Sequence, residues 1–169
     1  MLWCTLAFPG PAPPLIATAL LLLLSVASIL LAWIDLRRGI IPDWLNLAIG
    51  SLGLIWALLD GWQVALAAGI QGIVVGAVVW LLRQIYFMVR KFHGLGLGDV
   101  KLLAVSAIWI GVDGIPVQLL VGSLAALATA GALQLAGERL TRQSSLPFGP
   151  FLALGLLASL ALQQGGWAV

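Results

Sequence analysis

No charged residue precedes Asp35, so the chain opens with 34 consecutive uncharged positions. Within them, residues 20–24 are all leucine, and the stretch at about 14–34 has the length of one membrane crossing. A helix needs roughly 20 predominantly apolar residues to span the hydrocarbon core. The rest of the chain has the same character: 62% of it is hydrophobic, 8% is charged and the mean hydropathy is +1.14. Soluble domains carry about 25% charged residues. A water-soluble globular enzyme is excluded, and a lipid bilayer is the expected solvent.

Between the scattered charges, further apolar windows fall at about 45–59, 64–82 (continuing helically to Val89), 100–112, 116–136 and 148–162. Pro147 and Pro150 suit the first turn of the last one, where a missing N–H costs least. The expected fold is all-α: a polytopic membrane protein with about six transmembrane helices. Its organisation reads as a short segment 1–13, a membrane domain 14–163 and a tail 164–169.

The basic residues give an independent reading of topology, because Lys and Arg collect in cytoplasmic loops near span ends. Arg37 and Arg38 lie between spans one and two, and Arg83, Arg90, Lys91 and Lys101 lie around the loop between three and four. Arg139 and Arg142, beside Glu138, lie between five and six. The opposite loops hold only Asp60 and Asp113. An even number of spans follows, with both termini on the non-cytoplasmic side. Residues 1–14 lack the positive segment of a secretory signal, so the first span reads as retained.

The single cysteine, Cys4, allows neither an internal disulfide nor a cysteine-based zinc cluster, and reads as a small apolar residue. Eight Lys or Arg against six Asp or Glu are too few and too scattered for a nucleic-acid surface. His93, the only histidine, reads as solvated, and a metal site built from aspartates alone would suit only a hard cation. Trp44, Trp62 and Trp109 read as interfacial anchors, and Gly69, Gly72 and Gly76 as a close-packing stripe.

The chemistry-bearing residues are two aspartates at span ends facing the same side. Asp35 closes span one, ahead of Arg37, Ile41-Pro42-Asp43 and Asn46. Asp99 opens span four in Gly94-Leu95-Gly96-Leu97-Gly98-Asp99-Val100-Lys101, where alternating glycines allow close backbone approach. Alone, Asp99 reads as a helix N-cap and Asp35 as a span-ending charge paired with an arginine. Together they carry more. Two carboxylates held in a partly desolvated site share a proton. The ionised member then activates water while the protonated one donates to a carbonyl oxygen, a way to hydrolyse peptides without a covalent intermediate. Asp43 is expected to cap span two, Lys101 to support the ionised carboxylate or the charge bias, and Gly96 and Gly98 to admit Asp35 or an extended substrate strand.

Three ordered strings resemble the type IV prepilin leader peptidases, membrane aspartic proteases with a Gly-x-Gly-Asp motif. Gly96-Leu97-Gly98-Asp99 is similar to the second catalytic motif, the Asp35 to Asn46 string to the first, and Leu146-Pro147-Phe148-Gly149-Pro150 to the opening of the last span. The resemblance implies that Asp35 and Asp99 form the catalytic dyad and that no cofactor is used. It also implies substrates among prepilins or pseudopilins, cut at the cytoplasmic face of a bacterial inner membrane. Larger members carry an N-terminal methyltransferase domain with paired cysteines, which this sequence lacks, so peptidase activity alone is expected. Two rivals remain at this level: a small proton- or cation-coupled transporter, which would place the carboxylates nearer the midplane, and an inactive scaffold of a secretion or pilus apparatus.

Overall fold

A computed structural model describes residues 14–91, 96–136 and 147–166. Cys4, His93, Gly94, Glu138, Arg139, Arg142 and Leu146, with the segment 1–13, lie outside the described residues. Among the described residues there are five helices and no strand: α1 Pro14–Arg38, α2 Asp43–Asp60, α3 Trp62–Arg90, α4 Leu97–Leu135 and α5 Gly149–Gln164. Three of them, α1, α3 and α4, are long and apolar enough to cross a membrane, and α5 is a shorter apolar helix.

Helix boundaries follow local chemistry. Gly39, in the left-handed region at φ 63°, ends α1 and donates its N–H to the Asp35 carbonyl 2.7 Å away. Pro42 then directs the chain into α2 with extended backbone. Only Gly61, at φ 128°, separates α2 from α3, which makes the two a tight helical hairpin.

The bundle buries a stripe from each helix and leaves wide apolar faces outward. Leu24, Leu31, Leu45, Ile49, Leu102 and Leu156 are at its centre, each at most 1% exposed. Leu22, Ile29, Leu66, Ile70, Ile73 and Leu127 each have more than half their surface outside. That is a poor surface for water and a suitable one for lipid tails. In lipid, helix association rests on close packing and interhelical hydrogen bonds rather than on apolar transfer. Both are present. A Cβ on Gly72 would lie 2.9 Å from the Ala104 carbonyl oxygen and one on Gly76 3.0 Å from Ala104 Cβ, so these two glycines set the α3–α4 approach. Gly69, expected to act with them, has only Leu54 Cδ2 at 3.7 Å.

Spans four and five form one helix by hydrogen bonding, α4, but it breaks at Gly111 (φ 71°, ψ 174°), one residue from the expected end of span four, with Pro116 following. The break frees backbone groups that would be costly in an apolar medium. Two glutamines take them up. Gln71 Oε1 of α3 accepts the Val112 N–H at 3.2 Å, and Gln163 Nε2 of α5 donates to the Ile110 carbonyl at 2.9 Å. A third, Gln118, is fully buried and donates to Ser106 Oγ at 3.0 Å and the Leu152 carbonyl at 3.1 Å, tying the second arm of α4 to the first and to α5. Trp109 is not an interfacial anchor: it is 4% exposed, donates Nε1 to the Ile49 carbonyl at 2.9 Å and rests on Trp56. Trp44 and Trp62 do face outward.

Candidate active site

Both aspartates lie where helices begin or end at one end of the bundle. Asp35, one turn before the C-terminus of α1, is 4% exposed. Its carboxylate Oδ2 accepts the backbone N–H of Gly149, the first residue of α5, at 3.0 Å. The first N–H groups of a helix have no partner within it and form the positive end of its dipole, so a buried carboxylate is well held there. Gly149 has to be glycine for this, since a Cβ would lie 2.6 Å from Asp35 Oδ2.

Asp99 is the third residue of α4, partly buried, and reaches back to the backbone N–H of Gly96, the N-cap residue. This is the carboxylate half of a capping box, so Asp99 supports the helix start from its third position and is not the N-cap itself. Each carboxylate is thus fixed by a helix N-terminus, α5 for Asp35 and α4 for Asp99, and the two are within electrostatic reach of each other.

Ile41, 8% exposed, packs against both Gly98, the residue before Asp99, and Gly149, which holds Asp35. A Cβ on Gly98 would fall 2.9 Å from Ile41 Cβ, and one on Gly149 3.1 Å from Ile41 Cδ1. Gly98 is helical and makes room for Ile41; it does not form a loop for an extended strand. A Cβ on Gly96 would lie 3.2 Å from Asp99 Oδ2.

The supporting residues arrange differently from expectation. Lys101 Nζ pairs with Asp43 Oδ1 at 2.6 Å, joining α2 to α4 on an exposed surface. Asp43 is the first residue of α2 and the cap position belongs to Pro42, without a side-chain bond, so Asp43 serves as the partner of Lys101. Arg37 stacks over Trp33, 4.5 Å from the ring centroid, on the outside of α1 and forms no pair with Asp35.

Asn46 was legible only as part of a string. It is 4% exposed with neither amide atom hydrogen-bonded. An unmade hydrogen bond on a buried polar group costs about 1–3 kcal/mol. Gly149 was likewise legible only within a string, and the glutamines of the α4 break were missed. The available signal was uncharged polar residues within apolar windows, which in membrane proteins join helices. Among the described residues no cluster of three His, Cys, Asp or Glu could hold a metal.

Residues 22–131, a segment that includes both Asp35 and Asp99, match the type IV leader peptidase family. The chain belongs to that family. It is 35% identical over 158 residues to the prepilin leader peptidase/N-methyltransferase of Escherichia coli K12, covering 93% of this chain and 67% of that protein. Identity to the proteins of the same name is 33% over 138 residues in Burkholderia pseudomallei 1026b and 35% over 149 residues in Neisseria gonorrhoeae. The chain spans less than half the length of these two, 44% and 46%, while 81% and 88% of the chain is covered. No solved structure matches it.

Proposed function

We propose that the protein is a membrane-embedded aspartic endopeptidase that removes the leader from type IV prepilins or pseudopilins, with Asp35 and Asp99 as its dyad. The observation that carries this reading is the placement of two carboxylates, from different helices and 64 positions apart, at one end of the bundle around Ile41.

In the proposed reaction one carboxylate removes a proton from water as it attacks the scissile carbonyl. The protonated partner donates to the carbonyl oxygen and afterwards a proton passes to the leaving amine. The Gly149 N–H holds Asp35 in place, and the Gly96 N–H does so for Asp99, so neither carboxylate has to be ordered when substrate arrives. Partial exposure of Asp99 leaves the way in for water and for an extended peptide, whose carbonyl is not engaged in a helix.

We read the orientation as six passes, with the two arms of α4 on either side of Gly111 counted separately and both termini on the non-cytoplasmic side. Arg37, Arg38, Arg90, Lys91 and Lys101 share the end of the bundle that carries the aspartates, which favours a cytoplasmic site in a bacterial inner membrane. Carboxylates at helix ends rather than mid-helix also favour hydrolysis over ion transport. The test is to incubate the membrane-inserted chain with a prepilin and sequence the product N-terminus. A single cut after the leader glycine is expected; an intact substrate beside correctly inserted protein would refute the reading.

A further inference from the structure

A groove of about 570 Å³ runs along the outer side of the α2–α4 contact, from Asp43 and Lys101 at one end to Leu54 and Ile108 at the other. Its mouth lies at the same end of the bundle as the candidate site, within about one helical turn of Asp99 along α4 and of Ile41 along the chain, and opens on the outer side. Residues 43–54 of α2 line its length, about 17 Å of helix. The walls are apolar except at the mouth and at Asn46 and Ser51. Ser51 satisfies its hydroxyl on the Ala48 carbonyl at 2.9 Å. Asn46 does not: its amide has donors and an acceptor unused, the set that a peptide group complements with one of each. Both amide atoms are covered in the empty groove, so pairing to a guest requires the side chain to turn outward, which the broad wells of its terminal torsion allow.

We propose that this groove seats the apolar flank of the polypeptide substrate adjoining the scissile bond, with Asn46 pairing to its backbone. The proposal rests on the peptidase reading above and deepens it by assigning a substrate subsite. A lipid fills an apolar groove and its ester carbonyls can accept from Asn46 Nδ2, but its acyl region has no donor for Asn46 Oδ1. A helix from a second copy of the chain has its backbone already bonded internally. A polypeptide leaving an extended scissile segment and entering a helix has both: apolar side chains, and the unpaired N–H groups of a first helical turn.

The experiment uses the full chain in phospholipid vesicles and a synthetic peptide with a basic leader, a glycine and an apolar stretch of about 20 residues. Asn46→Leu removes the amide at similar shape, and Ser51→Trp fills the groove from its exposed side. Each is expected to raise KM by about tenfold, a loss equal to one hydrogen bond or a few apolar contacts, with kcat within about twofold. In parallel, a benzophenone side chain at exposed Leu47 is expected to label the apolar stretch of the peptide. A parental KM in both variants, or Leu47 labelling only lipid or a second copy under saturating peptide, overturns the subsite while parental cleavage leaves the peptidase reading standing. If the parent cuts nothing, the peptidase reading falls, and the label decides the groove by itself: peptide labelled retains it, lipid labelled removes it.

Discussion

The two ends of the first arm of α4 treat buried polar groups in opposite ways. At Gly111 the helix is interrupted and the Val112 N–H and Ile110 carbonyl are each met by a glutamine from a neighbouring helix. At Asp99 the helix begins beside a buried Asp35 on α1, and one turn into the facing helix Asn46 has no partner at all. A break that exists to turn the chain is stitched. The end proposed to receive the substrate leaves one buried amide, that of Asn46, without a partner. The difference lies in where the partners come from: the groups freed by the break are met by side chains of neighbouring helices, the two carboxylates by helix-terminal N–H groups, and Asn46 by nothing.

Substitutions at the two ends should therefore fail in different ways. Outside the two aspartates themselves, the largest effect is expected from Gly149→Val, which drives a side chain into the Asp35 carboxylate. Cleavage should fall on the order of a hundredfold or more, with helix content and insertion retained, as measured by initial rates and circular dichroism. Parental rates would mean that Asp35 does not need its helix-terminal amide. Next come Gln71→Leu and Gln163→Leu at the break. Each should cost about 1–3 kcal/mol in detergent unfolding by leaving a backbone group unpaired, while the folded fraction still cleaves at its normal rate. Smaller again is Asn46→Leu, whose stability should be unchanged or higher because an orphan amide is replaced by an apolar group of similar shape. A stability loss equal to that of the glutamine variants would erase the contrast. The smallest effect is that of Lys101→Met, which breaks an exposed ion pair and should change stability by no more than about 1 kcal/mol.

Much of the helical plan was legible because in a bilayer charge and apolar length report directly on span ends. Asp35, Arg37 and Arg38 mark the end of α1, and Asp60 that of α2. The glycines of α3 were legible where spacing dictated contact, at Gly72 and Gly76. What escaped depended on partners distant in sequence. Nothing local to Asp43 or Lys101 announces their pairing across 58 positions, and nothing local to Trp109 distinguishes a buried indole bonded to Ile49 from one at the membrane interface. Gly149 was visible inside a proline-flanked string, yet its role follows only from Asp35 standing against it, 114 positions away. Gln71 and Gln163 could be recognised as polar residues in apolar windows, but the break they serve depends on Gly111 adopting a positive φ, which its sequence context alone does not require.

The central claim is that Asp35 and Asp99 act together on a peptide bond. Its most direct test is to compare prepilin cleavage by the membrane-inserted parent with Asp35→Asn and Asp99→Asn, which keep shape and remove the acid–base function. Each variant should insert normally and lose on the order of a hundredfold to ten-thousandfold in rate, with the double variant no worse than the single ones, as expected of groups acting as a unit. Cleavage at the parental rate by either variant would contradict the dyad.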